Sequence, residues 1–228
     1  MTRARRPRSP RGSGAQLRTE ILDATAELLA RAGHADGVSI RDVGKMVGVS
    51  APSIYRHFAD KDQLIEAVVA RTFEDLYDAM SAAVDPSLSP MNRLRDQGMA
   101  YVRYALEHPA QYRVATAPAD HVSEVDRVLS SGAFQLFTAT VLECMDEGTL
   151  HAGDPTPVVL ELWASAHGIA ALLIAKPFLP WGDVEAIASR ILAAACVGHA
   201  VLDLIGETPE PDEIQRWMDR VKQDPPRI

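Results

Sequence analysis

The chain has 228 residues, 47% hydrophobic and 24% charged, with 6% aromatics and a formal net charge of −8. These values exclude a disordered, collagen-like or disulfide-framework protein and leave room for one large domain or two small ones, while abundant Ala and few aromatics count against a strand-rich fold. The negative total argues against a nucleic-acid binder, yet residues 1–71 hold 12 Lys and Arg against 8 Asp and Glu, and residues 72–228 hold 11 against 23.

Residues 1–14 read as a disordered basic arm. Arg3, Arg5, Arg6, Arg8 and Arg11 lie among Ser, Pro and Gly with no acidic residue, and nothing there can build a core. On a DNA-binding protein such an arm can follow phosphates or enter a minor groove. Residues 15–33 make a first helix, with Ile21, Leu22, Thr25, Leu28, Leu29 and Ala32 on one stripe and Gly33 as its stop. Ser39 opens a short helix, Ile40–Val47, with Asp42 at a capping-box spacing. Gly48 ends it. Ser50 is placed to cap the next short helix, Ala51–His57, with Pro52 in its first turn.

Two short helices across a glycine turn form a helix-turn-helix. Val43, Met46, Val47, Ile54 and Phe58 are its inward anchors. A major groove admits one α-helix, and Ser50, Ala51, Pro52 and Ser53 present small groups at the leading end of the second one. Tyr55, Arg56 and His57 follow with longer reach. Arg41 and Lys61 sit at the periphery, where phosphate contacts belong.

Asp60 caps a long helix over 61–83, with Ile65, Val68, Val69, Thr72 and Leu76 as its inner stripe. Helices are expected at 90–108, 110–115, 121–147, 156–175, 183–205 and 211–223. No alternating strand pattern and no internal repeat is present. The fold class is therefore all-α, divided into the arm (1–14), a three-helix helix-turn-helix head (15–60), a connecting helix (61–83) and a helical effector-binding and dimerisation domain (84–228). The last two long helices are apolar on most faces, and a homodimer packed through them is the simplest way to cover those faces.

No apolar run reaches the ~18–20 residues that would span a membrane, so no membrane partner is expected. The basic N-terminus lacks the apolar core of a secretory signal, and the expected location is the cytoplasm. Cys144 and Cys196 are far apart in sequence with no metal-ligand spacing, and read as small buried thiols. No metal and no cofactor are expected. No HExxH, CxxC, GxSxG or P-loop spacing is present, so an enzyme is not expected. The competing readings are a helix-turn-helix interaction protein with only non-specific DNA affinity and, less favoured, a helical-bundle enzyme.

Residues 20–71 resemble the DNA-binding module of the tetracycline-repressor-type (TetR) family. The likeness is carried by the first helix, by Ser39-Ile40-Arg41-Asp42-Val43-Gly44, by Gly48-Val49-Ser50, and by Ser53-Ile54-Tyr55-Arg56-His57-Phe58 with Lys61-Asp62-Gln63-Leu64. Gly44 departs from the family's usual Ala, and Pro52 from its usual Gly or Ala. The resemblance implies DNA contacts from Ser39, Arg41, Pro52, Ser53, Tyr55, His57 and Lys61, to which the residue reading adds Ser50 and Arg56.

Trp163, His167 and Gly168 are similar to the Trp–His–Gly pattern of one C-terminal subclass of the family. The resemblance further implies a repressor, released by a small molecule and acting as a homodimer on a palindromic double-stranded operator. Bundle cores are where helical proteins hold ligands. Candidate pocket residues are Tyr101, Tyr104, Tyr112, Phe134, Phe137, Met145, Trp163, His167 and Phe178, whose apolar character favours a lipophilic effector.

Overall fold

The computed structural model describes residues 14–116, 131–206 and 209–223. Residues 1–13 of the basic arm and residues 121–130 of the helix expected at 121–147 lie outside the described residues. The described chain is all-α, with ten α-helices and one 3₁₀ turn. The helices are α1 (Gly14–Ala32), α2 (Ile40–Val47), α3 (Ala51–Ile54), α4 (Lys61–Ala82), α5 (Pro90–Glu107), α6 (Pro109–Ala115), α7 (Gly132–Asp146), α8 (Pro155–Ala175), α9 (Val184–Ile205) and α10 (Pro211–Gln223). The 3₁₀ turn, Ala35–Gly37, was not foreseen; His34 shapes it by accepting from the Gly37 N–H through Nδ1 at 3.1 Å.

Helix boundaries follow their caps. Asp154 accepts from the Thr156 N–H at 2.9 Å and Asp183 from the Ala186 N–H at 3.1 Å, which starts α8 and α9. Asp60 accepts from the Gln63 N–H at 2.7 Å and starts α4. Three expectations need correction. Helix α3 is shorter than foreseen: the Ile54 carbonyl accepts from both His57 N (2.8 Å) and Phe58 N (3.1 Å), so the chain leaves the helix through a tight turn. Ser50 makes no side-chain cap. The buried line of α4 is Leu64, Val68, Thr72, Leu76 and Met80; Ile65 and Val69 are only half-buried. Paired apolar positions in each turn left that register open by one residue.

The chain divides into two compact units. The first comprises Met1–Asp78 and Tyr104–Ala133. Its core joins Ile21, Leu22, Leu29, Val38, Val43, Ile54, Phe58, Leu64 and Val68, and α6 packs on α1. Buried Thr25 and Thr72 satisfy their hydroxyls on the carbonyls four residues back, Ile21 and Val68, at 2.7 and 2.9 Å.

The second unit comprises Ala79–Arg103 and Phe134–Ile228. Its interior includes Phe137, Val141, Val159, Ile169 and Leu192, with α8 lying along α9. Gly98 lets α5 approach Leu192, since a Cβ there would stand 3.1 Å from a Leu192 methyl. Cys144 and Cys196 are buried free thiols, and burial pushes the Cys144 thiol up to about 11, which leaves it protonated and unreactive.

The expectation that no segment is apolar enough to span a bilayer is also corrected. Pro155–Ala175 and Val184–Leu202 suffice by length and composition. A search for unbroken apolar runs missed them because Glu161, Glu185 and Arg190 interrupt them. Only 33% and 17% of these stretches are buried within the chain.

Candidate nucleic-acid interface

The turn between α2 and α3 is set by one carbonyl. Gly44 O accepts from both Gly48 N and Val49 N at 2.9 Å. Gly48 closes α2 in the left-handed region at φ 78°, where a side chain would be strained. Gly44 lacks a Cβ that would come within 2.9 Å of the Val49 carbonyl. The departure from the family's Ala therefore lets the turn close tightly.

Beneath this turn Val43 and Ile54 are fully buried and Phe58 is 2% exposed. With the apolar sides of α2 and α3 turned into the core that they share with α1, the opposite side faces outward. Arg41, Ser50, Pro52 and Arg56 are exposed, and Tyr55 is 51% exposed, so it is not a core residue. Ser53, His57 and Lys61 are half-buried at its edge.

Hydrogen bonding decides what each group still has to offer. The Ser39 hydroxyl accepts from the Asp42 N–H at 3.1 Å and donates its proton to Asp42 Oδ2 at 2.6 Å. The short Asp carboxylate thus bonds the hydroxyl and not the Ser39 backbone N–H that a longer Glu would reach. Asp42 also accepts from Lys45 Nζ at 2.7 Å. Lys45, followed by the Ser39 hydroxyl, holds the Asp42 carboxyl below the usual carboxylate range. Its charge is spent locally, and Asp23 on α1 pairs with Arg71 at 2.7 Å. Among the described residues Arg41 forms no ion pair. Ser50 and Ser53 share one hydrogen bond at 3.0 Å between their hydroxyls, which leaves one free proton for the pair.

Sequence reasoning missed Arg18. It lies on the first helix, as expected, but no contact was assigned to it; its guanidinium stands 5.1 Å from the Phe58 ring centroid. Phe58 follows His57, so this contact holds a cation beside the exposed face. Its signal was present in the sequence: an Arg at the outer end of a helix whose inner stripe packs on Phe58.

The candidate pocket residues fall in both units. Tyr104 and Tyr112 are buried in the first, where burial pushes the Tyr104 hydroxyl up to about 12. Phe134, Phe137 and Met145 are buried on α7 in the second unit. Tyr101, Trp163 and His167 are brought together there. Trp163 Nε1 donates to the Tyr101 hydroxyl at 3.1 Å, and that hydroxyl lies 3.4 Å from His167 Nδ1. Burial holds His167 below the ordinary imidazole value, so the ring beside the Tyr101 hydroxyl is neutral. Phe178 lies in the loop between α8 and α9 and is 99% exposed. It lines no interior space of this chain, because Pro177 and Pro180 end the helical run and carry it outward.

A short helix presented by a glycine turn over a closed core, with uncommitted cations around it, defines a helix-turn-helix DNA-binding protein. Comparison with known proteins narrows this. Residues 21–68 match the family model described as "Bacterial regulatory proteins, tetR family", and residues 94–195 match "Tetracyclin repressor-like, C-terminal domain". The chain belongs to the TetR family of DNA-binding transcriptional regulators.

Among curated relatives, the nucleoid occlusion factor SlmA of Vibrio cholerae is 26% identical over 144 residues, covering 62% of this chain and 72% of that protein. An uncharacterized HTH-type transcriptional regulator of Mycobacterium tuberculosis is 32% identical over 103 residues, covering 45% of this chain and 43% of that one. Among solved structures, a protein of unknown function from Rhodococcus sp. RHA1 is 27% identical with a TM-score of 0.69, covering 81% of this chain and 95% of that chain. A TetR-like transcriptional regulator from the same organism, 21% identical, shares the fold at a TM-score of 0.62 over 87% of this chain and 100% of its own.

Proposed function

We propose that the chain is a ligand-released repressor that acts in the cytoplasm as a homodimer on a palindromic or near-palindromic operator. The observation that carries the reading is the exposed side of α2 and α3, where Arg41, Tyr55 and Arg56 stand clear of the core. In this reading Ser50, Pro52 and Ser53 lie against base edges, where the serine pair offers one proton and several lone pairs. Arg41, Tyr55, Arg56, His57 and Lys61 bind phosphates and fix the register. Ser39 serves first as a cap. Its proton is committed to Asp42, so it donates to a phosphate only by giving up that bond.

The dimer is inferred from apolar side chains left uncovered on α8 and α9. Leu160, Leu172, Val197 and Leu204 are all exposed, and a second copy would bury them in an isologous contact. Two heads then reach successive major grooves ~34–36 Å apart. A small lipophilic effector that binds better when the heads are wrongly spaced lowers DNA affinity by its differential binding, with α4 as the connecting element. Selection of bound fragments from the source genome tests this reading: the account expects a short inverted repeat near a few promoters.

A second reading rests on the SlmA relatives, which are named for nucleoid occlusion. There the same head would mark many sites across a chromosome, and the selection would return scattered copies unrelated to promoters.

A further inference from the structure

In the second unit, one buried polar atom lacks the partner that the rest of its network has. Gln97, on α5, is 1% exposed. Its Nε2 donates to Thr140 Oγ1 at 2.8 Å, and the Thr140 hydroxyl donates to the Leu136 carbonyl at 3.1 Å. Thr140 therefore has only a lone pair to offer Gln97, which fixes the orientation of the amide. The other end, Oε1, is buried and has no hydrogen-bond partner.

One turn earlier on the same face of α5, Arg93 Nε is also buried without a partner, while Arg93 Nη2 pairs with Glu143. Residues four apart share a helix face, so an unmet donor and an unmet acceptor lie one turn apart on α5. Native cores rarely leave such groups dry, and an apolar side chain of similar volume would avoid the cost altogether.

A hydroxyl group supplies both missing halves. Its oxygen accepts from Arg93 Nε–H, and its proton goes to Gln97 Oε1. A charged group would gain little, because Arg93 is already matched by Glu143 and Cys144, one residue beyond Glu143, is held protonated by burial. Phe137 and Val141, which flank Thr140 on α7, are buried and apolar, so the setting suits an apolar body with one polar end.

We propose that Arg93 and Gln97 form the polar end of the effector site, and that they select an uncharged, mostly apolar molecule bearing one hydroxyl, an alcohol or a phenol. The proposal rests on the reading of the chain as a ligand-responsive regulator and narrows its lipophilic effector. The competing occupant is a single trapped water, which would make the same two bonds.

The full-length chain is titrated with 4-alkylphenols from ethyl to octyl, and with the methyl ether of each, by tryptophan fluorescence and calorimetry. At least one phenol is expected to bind saturably and about tenfold more tightly than its ether, the worth of one hydrogen bond. Gln97→Leu is expected to abolish that preference, keep the affinity for the ether, and melt no lower than wild type. Gln97→Met replaces it if the leucine variant does not fold. Absence of binding by every phenol, equal affinity for phenol and ether, or a preference that survives Gln97→Leu overturns the proposal. A large loss of stability in both the Leu and Met variants identifies a water-bridged structural glutamine and also overturns it. A phenol that binds with this preference yet leaves DNA affinity unchanged supports the site and contradicts ligand release, so the two failures are told apart.

Discussion

The indole N–H of Trp163 and the imidazole Nδ1 of His167 meet at one atom, the hydroxyl oxygen of Tyr101, at 3.1 and 3.4 Å. Trp163 and His167 are four residues apart on α8, so their side chains emerge on one face, and Tyr101 faces them from α5. The hydroxyl accepts from the indole and shares a second hydrogen bond with the neutral imidazole. This ties α5 to α8 within the second unit and gives the Trp–His spacing a structural reason that requires no ligand. Removing the hydroxyl leaves an indole N–H and an imidazole nitrogen without this partner. Tyr101→Phe should therefore cost about 1–3 kcal/mol in denaturant unfolding and shift the tryptophan emission. DNA affinity of the folded protein should change little.

The same bond predicts a pH dependence. Burial lowers the His167 pKa below its ordinary value, so across the interval between the folded and unfolded values the unfolded chain binds more protons. Stability is then full above the unfolded imidazole pKa of about 6.5 and falls as pH drops below it toward the folded value. A protonated ring carries a hydrogen on both nitrogens, so toward the Tyr101 hydroxyl it can only donate. Thermal melting between pH 7.5 and pH 5 should show this fall in the wild type, and His167→Gln should reduce it.

Gly48 should tolerate no side chain. At φ 78° an alanine pays the left-handed penalty of about 1–2 kcal/mol, and the turn that aims α3 distorts with it. Gly48→Ala is expected to lower the melting temperature and weaken DNA binding together. Arg18→Ala leaves the turn untouched and should weaken binding with little loss of stability.

The basic arm offers a separate prediction. Residues 19–71 hold 6 basic against 8 acidic residues, whereas the segment up to Arg18 holds six basic and none acidic. The folded head is thus not basic overall, and a large share of its phosphate attraction must come from the arm and from where Arg18, Arg41, Arg56 and Lys61 point. Deleting residues 1–14 should weaken DNA binding and flatten its dependence on salt. An unchanged slope would mark the arm as a solvated tail.

Much of the head was legible in the sequence because its signals are local. Ser39 with Asp42, Gly48 and Asp60 fix element ends through bonds spanning four residues or fewer, and Ile54 with Phe58 names the buried side of the recognition element. The errors lie where local rules leave a choice. Ile65 and Val69 adjoin Leu64 and Val68, and only packing selects which pair is buried. Ser50 follows Gly48 and Val49 as a cap should, yet Ser53 takes its hydroxyl.

Long-range partners were not legible at all. Gln97 sits between Asp96 and Gly98 and reads as a solvated position, but it is buried and bonded to Thr140, 43 residues away. The exposure of Phe178 was equally hidden, because aromatic character alone does not say whether a loop turns inward.

Whether the head reads bases or only phosphate is decided by binding to the selected inverted repeat and to a scrambled duplex of equal length, measured across a salt series. The account predicts that the repeat is bound at least about a thousandfold more tightly at physiological salt. Arg41→Ala should lower both affinities and reduce the salt slope by about one per subunit, or about two for the dimer, with the dimer intact by sedimentation. The double variant Arg41→Ala/Tyr55→Phe should be weaker still. Equal affinity for the two duplexes, collapsing together as salt rises, or a double variant that binds like wild type would contradict it.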